Sequence, residues 1–254
     1  MILRTCGLTK KFDGLTAVDQ VDFAIEKGTI TAVIGPNGAG KSTFFNLISG
    51  FLAPTSGEIC YNGRDITRLK PYERARLGIG RTFQTTRLFE QATVLENVMI
   101  GHRLRTKLGL WDALFKTRRL KREETASREK AHEALAFTGL LPKSDRLVSE
   151  LSQEEKKRTA IALALATEPE IVFLDEPAAG INPEETEKLA ELMKKMVKKG
   201  ITICLIEHKM QMVMNLADKI MVLNHGKKIA EGTPDEVKHH EEVIRAYLGG
   251  GISA

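Results

Sequence analysis

Short unbroken apolar runs recur in the second half of the chain, and they are too short for helices. IVFLDE at 171–176, ITICLIE at 201–207 and KIMVLN at 219–224 read as buried strands, as does TITAVI at 29–34 near the start. Between them the period changes. In EETEKLAELMKKMVKK, Leu189, Leu192, Met193, Met196 and Val197 recur at helical spacing, with acids in the first turn, lysines in the last and Gly200 as the stop. A second, short helix is expected from Lys209. Strand, helix, strand, helix, strand indicates a parallel sheet covered by helices, an α/β fold.

The first sixty-odd residues read differently. LRTCGLTKKF, AVDQVDFAIEKG and GEICYNGRDI are short β-type runs separated by turns, so the N-terminal part is strand-rich. From Thr93, TVLENVMIG opens with a T-x-x-E capping box, and helical spacing with abundant charge continues to about Leu141, where Pro142 interrupts. This middle block reads as an inserted helical region.

Composition adds bounds. A chain of 254 residues with 42% hydrophobic and 28% charged residues buries a substantial core as an ordinary globular protein. No stretch approaches the length of a membrane span, and MILRTCGLTKKF lacks a signal peptide's apolar core, so a cytosolic chain is expected. Cys6, Cys60 and Cys204 are far apart and without C-x-x-C spacing, which points away from a disulfide framework or a zinc site. The net charge of +5 is concentrated: residues 103–122 hold eight cations against one acid, Asp112, and the rest is slightly acidic.

Candidate chemistry starts with GPNGAGKS at 35–42, which matches G-x-x-x-x-G-K-[ST] between an apolar strand and a helical FFNLISG. Its glycines let backbone N–H groups wrap phosphate oxygens, Lys41 reaches the terminal phosphates, and Ser42 is placed to ligate magnesium. In IVFLDE a buried strand ends in two carboxylates. Asp175 suits a metal's water shell, and Glu176 suits orienting or deprotonating a water. His208 in LIEHKM ends another apolar strand, and Gln84 in IGRTFQ ends a short β-type run. Each alone reads equally as an ordinary structural or loop residue. Parallel strands, however, present their C-terminal ends on one side of a sheet, which brings His208 near the same crevice.

Phe12, GPNGAGKST, Gln84, a helical block, LSQEE, IVFLDEP, AAGIN and Glu207-His208 occur in the order and spacing of ATP-binding cassette proteins. Through RTFQTTRLF, TVLENVMIG, LDEPAAGINPEET, LIEHKMQMVM and VIRAYLGG the chain most resembles the ATP-binding subunits of branched-chain amino acid importers. The resemblance implies a P-loop nucleotide hydrolase core with a parallel sheet, an N-terminal antiparallel β subdomain and an inserted helical subdomain. On this division residues 1–90 hold the β subdomain and the first part of the core. The helical subdomain spans 91–167, the second part of the core 168–235, and a helical tail 236–254.

The resemblance further implies ATP and Mg2+ as ligands and ATP hydrolysis coupled to transport. Phe12 stacks on adenine; Gly35, Pro36, Asn37, Gly38, Ala39, Gly40, Lys41, Ser42 and Thr43 hold the triphosphate. Ser42, Gln84 and Asp175 serve magnesium, with Gln84 also lining the ATP site; Glu176 is the general base, and His208 contacts the γ-phosphate. Implied partners are transmembrane permease subunits, a second ATP-binding subunit (itself or a paralogue) and, indirectly, a solute-binding protein, at the cytoplasmic face of the membrane. Nucleic acid is not expected.

The chain departs from that family's pattern at LSQEEKKR, where LSGGQ or a near variant is expected. Ser152 and Glu155 stand at capping-box spacing, and Ser152, Gln153 and Glu154 are the implied contacts to the partner's ATP. Glu154 in place of glycine predicts added bulk and repulsion toward phosphate, partly offset by Lys156, Lys157 and Arg158. Asn182 and Lys209 each stand where aspartate is usual. Two other functions compete: a nucleotide-gated binding module with low turnover, and a soluble cassette ATPase acting on DNA or ribosomes. The long coiled coil or second cassette of the latter kind is not present in the sequence. The basic segment, with Leu110, Trp111, Leu114 and Phe115 forming a stripe, reads as a solvated helical face, a surface near headgroups or the permease, or a nucleic-acid patch.

Overall fold

The computed structural model describes residues 1–82, 88–103 and 118–248. Two sheets organise it. The first is antiparallel and joins β1 (Leu3–Phe12), β2 (Leu15–Ile25), β4 (Ser56–Tyr61) and β5 (Arg64–Asp65) in the order β2-β1-β4-β5. The second holds β3 (Ile30–Ile34), β6 (Ile79–Arg81), β7 (Ile171–Asp175), β8 (Thr202–Ile206), β9 (Lys219–Asn224) and β10 (Lys227–Gly232), in the order β10-β9-β3-β8-β7-β6. Only the β9–β10 pairing is antiparallel in this sheet.

The runs ITAVI, IVFLD and TICLI are buried at every position, because both sheet faces are covered. Alternate residues serve different cores. Ile203 and Leu205 pack with α5 (Gln153–Ala166), α6 (Pro183–Lys198) and α7 (Met210–Leu216) through Ile161, Leu189, Met193 and Val213. Cys204 and Ile206 turn the other way, toward the antiparallel sheet and α1 (Lys41–Ile48), where Phe44 and Phe45 are fully buried. Burial pushes the Cys204 thiol pKa strongly up, which leaves it an inert core residue.

A third core lies among the helices. Val94, Leu95 and Val98 of α3 (Val94–Arg103) meet Leu135 of α4 (Arg118–Phe137) and Ala162 of α5. Thr93 caps α3 reciprocally with Glu96, as the T-x-x-E spacing predicts. The helical run expected from Thr93 to Leu141 is described in two pieces, and its C-terminal limit falls at Gly139, whose φ of +72° turns the chain out of α4. Helix α6 starts at Pro183 with Asn182 as its cap, and buries Leu189, Leu192, Met193 and Met196 as the spacing requires. Strand β10, the short helices α2 (Pro71–Arg76), α8 (Pro234–Lys238) and α9 (Glu241–Leu248), and 3-10 turns at Leu141–Lys143 and Val148–Glu150 complete the described elements. Periodicity gives no warning of β10, whose KKIAEG is mostly polar because it is an edge strand.

Candidate functional site

The order β3-β8-β7 sets three strand ends side by side, and the loops leaving them form one crevice. The loop after β3 is shaped by its glycines. A Cβ on Gly35 would stand 2.1 Å from the Leu223 carbonyl oxygen of neighbouring β9, and one on Gly40 2.3 Å from that of Ala17. Both residues have positive φ, so only glycine fits. Gly226 N–H anchors the loop from the β9–β10 turn by donating to Ala39 O at 3.0 Å. The loop thus has a packed outer side and an inner side open to a cavity of about 390 Å³.

That cavity is lined by residues 37–43 together with Glu176 and His208, and by Leu15, Thr16, Ala17, His225 and Gly226. Gly38, with φ +79°, has no neighbour within 4 Å of where a Cβ would stand, so an anion has clear access to the backbone there. Lys41 is buried, and its ammonium donates to Gly35 O at 2.7 Å and Pro36 O at 2.9 Å. Burial lowers its pKa, against the pull of Glu176 and Asp175. A cation held on loop carbonyls beside open space is positioned to transfer to phosphate oxygens.

Across the crevice, Asp175 ends β7 with its carboxylate buried. One oxygen, Oδ2, accepts from Arg81 Nη2 at 3.2 Å; the other, Oδ1, is buried without a hydrogen-bond partner. Burial raises the Asp175 pKa, opposed by the Arg81 guanidinium. A buried carboxylate oxygen with an unused lone pair beside a phosphate-type loop suits a hard divalent cation, so the donor set fits magnesium. Glu176 follows in left-handed backbone conformation, φ +47°, uncommon for a residue with a side chain. Its N–H donates to Ile206 O at 3.0 Å, its carbonyl accepts from Lys157 Nζ at 3.3 Å, and its Oε1 lies 3.1 Å from His208 Nε2.

Of the sequence-predicted residues, 37–43, Glu176 and His208 therefore meet in one cavity, with Asp175 beside it. Phe12 is not among the lining residues. Its ring is partly exposed at the β1–β2 turn with the Lys10 ammonium 5.0 Å from its centroid, while Leu15–Ala17 of the same hairpin form the wall. Gln84 lies outside the described residues, as does most of the basic segment 103–122 with Leu110, Trp111, Leu114 and Phe115.

The helix that carries LSQEE is capped as expected: Ser152 Oγ accepts from Glu155 N–H, and Glu155 reaches back to Ser152 N–H. Ser152 and Gln153 are exposed at its start. The expected repulsion by Glu154 needs correction. Its carboxylate is turned inward, 5% exposed, and ion-pairs with Arg158 one turn along, with Nε to Oε1 at 2.6 Å and Nη2 to Oε2 at 2.8 Å. Arg158 also donates to Thr138 O at the end of α4. The charge is neutralised internally, because i and i+4 lie one above the other on a helix.

Sequence reasoning missed Arg81 and His225, and it named Lys157 and Glu207 without the contacts they make to the loop after β7. Arg81 is nearly buried: it bridges Asp175 to the C-terminal turn of α1 through Ser49 Oγ, and its guanidinium sits 5.2 Å from the Phe51 ring centroid. A cation inside an otherwise apolar β-run is the only local sign of this.

Comparisons with known proteins identify the family. The family described as ABC transporter matches residues 18–179, and one described as branched-chain amino acid ATP-binding cassette transporter matches 227–252. The high-affinity branched-chain amino acid transport ATP-binding protein LivG of Salmonella typhimurium is 42% identical over 249 residues, covering 98% of both chains. BraF of Pseudomonas aeruginosa, named likewise, is 40% identical with the same coverage. Among solved structures, the ADP conformation of an ATP-binding cassette of an ABC transporter superposes with a TM-score of 0.86 at 37% identity, covering 98% of each chain.

Proposed function

The chain belongs to the ATP-binding cassette transporter family as an ATP-hydrolysing subunit, and from that premise we propose that it drives branched-chain amino acid import through separate permease subunits. The amino acid class rests on the relatives, since no described residue reads the transported solute. The observation that carries the hydrolytic reading is the 3.1 Å contact between His208 and Glu176 across the cavity from the phosphate-type loop.

In this reading ATP lies along residues 35–43 at the start of α1, where backbone N–H groups and Lys41 bind its phosphates. Lys41 exchanges its two carbonyl partners for phosphate oxygens. Phe12 at the hairpin edge stacks on adenine. Ser42, Gln84 and Asp175 would hold Mg2+, which would supply charge neutralisation for the phosphates. Arg81 keeps one Asp175 oxygen engaged and the other turned to the site. Glu176 accepts a proton from the attacking water, and His208 holds Glu176 and the γ-phosphate in register. Ser152 and Gln153, at the exposed start of α5, reach the ATP of a second cassette; Glu154 supports that helix start from behind, through Arg158. The assembly is peripheral at the cytoplasmic face, with a solute-binding protein acting through the permease. Among the described residues no helix is long and apolar enough to cross a membrane, so the pore is left to the permease partner.

The test is ATP hydrolysis by the purified protein, alone and with its permease subunits. Glu176→Gln is expected to lower kcat by about 10²–10⁴-fold while ATP binding persists. In vesicles carrying the permease, ATP is expected to drive leucine uptake. Hydrolysis indifferent to Glu176→Gln overturns the catalytic assignment, and ATP-dependent uptake of an unrelated solute instead of leucine overturns the transport assignment.

A further inference from the structure

Consecutive residues of the loop after β8 each grip the segment after β7. Glu207, 3% exposed, accepts from Ala178 N–H at 2.6 Å through Oε1, while its Oε2 accepts from His208 N–H at 3.0 Å. His208 meets Glu176. Lys209 reaches furthest: its ammonium donates to Ile181 O at 2.8 Å and to Thr186 Oγ1 at 2.9 Å, in the first turn of α6. Thr186 in turn donates to Asn182 O at 2.7 Å, so Lys209 is joined to the capped start of that helix.

The segment they grip is one that local forces hold poorly. It begins at Glu176 in the left-handed region and passes through Gly180, φ +76°, before α6 starts. Glu176 carries a side chain in that region, a conformation that persists only where surrounding contacts hold it. Lys209 is placed to supply two of them. Its donors are charged, and charge-assisted hydrogen bonds are roughly twice as strong as neutral ones.

We propose that Lys209 is a positioning residue for hydrolysis: it clasps 176–186 to the His208 turn, so that Glu176 and His208 stay paired when the loops bear load. It touches neither of those side chains, and acts through the backbone between them. The inference rests on the ATPase reading above, and extends it to a residue that stands where the family usually has aspartate.

The experiment compares Lys209→Met, Lys209→Arg and Lys209→Asp with wild type, in ATP hydrolysis and in hydrogen exchange of the intact protein. Lys209→Met is expected to lower kcat about tenfold with KM for ATP within about twofold, since the phosphate loop is untouched. Lys209→Arg retains the donors and restores most of kcat. Lys209→Asp removes both donors with a side chain too short to reach Ile181 O, and is expected to lower kcat at least as far as Lys209→Met. Exchange should rise over 177–186 in the Met and Asp variants and remain unchanged over 35–48. Unchanged kcat in Lys209→Met overturns the proposal, as does exchange that rises over both segments alike. If wild type itself hydrolyses no ATP with its permease present, the functional reading fails, and the exchange difference over 177–186 alone decides whether the clasp exists.

Discussion

The two walls of the cavity are held by different means. The loop after β3 is set by backbone: glycines at 35 and 40 sit where a Cβ would strike carbonyl oxygens at 2.1 and 2.3 Å, and backbone groups of β9 and the following turn close over it. The loops after β7 and β8 are set by side chains, through Glu207 on Ala178, His208 on Glu176 and Lys209 on Ile181 and Thr186. A backbone-defined wall tolerates almost no substitution, because its neighbours at Ala17, Leu223 and Gly226 are main-chain groups that cannot yield. A side-chain-defined wall is adjustable, and each of its contacts can be removed singly. On the proposed function, in which the loop after β3 binds phosphate and Glu176 is the base, this difference suits the two tasks.

Substitution should expose that contrast, and the largest effect is expected on the rigid wall. Gly35→Ala forces a methyl into Leu223 O with no flexible side chain to yield, so nucleotide affinity should fall by about a hundredfold or more, measured by calorimetric titration. Comparable affinity in that variant would show that the loop can shift as a body. On the adjustable wall, Glu207→Ala leaves the buried Ala178 N–H without its acceptor. It should lower stability by about 1–3 kcal/mol in urea unfolding while ATP affinity changes little. An equal loss of both would mean that the two walls are one unit.

The helical region offers a third, weaker case. Glu154→Ala removes the partner of a part-buried Arg158, and should cost about 2 kcal/mol of stability. The same logic reverses the sense of Glu154→Gly. Removing the carboxylate relieves no repulsion toward a second cassette's ATP; it frees Arg158, so weaker ATP-driven dimerisation is expected in analytical ultracentrifugation. The smallest effect concerns the α3 cap. Glu96 accepts from Thr93 N–H and Oγ1, and these bonds hold its pKa below the ordinary 4.5. Such a group adds stability that is present above its unfolded pKa and lost as pH falls through the folded one. Glu96→Gln should therefore unfold with a flatter acid dependence below about pH 4.5 and a nearly unchanged midpoint at neutral pH.

How far the sequence could be read follows the same division. The apolar runs that became β3, β7, β8 and β9, the reciprocal caps at Thr93 and Ser152, and the buried stripe of α6 depend on neighbours within a few positions. So does the phosphate-type loop, whose spacing states its own backbone requirement. Glu154 shows the limit even of local reading. The i,i+4 match to Arg158 is visible in the sequence, but whether that face of the helix points inward depends on α4 packing across it.

The sequence by itself determined the buried strands β3, β7, β8 and β9, the glycine loop, the capped helix starts and the residue types available for phosphate and water, because each follows from periodicity or from contacts between near neighbours. The tertiary structure alone decided that β8 lies between β3 and β7, that Arg81 engages Asp175, and that residues 207–209 lock onto 176–186. The side-chain pairings among these join positions about thirty to ninety residues apart, and a side chain finds such a partner only after strand order has brought the two loops within a hydrogen bond's reach of each other.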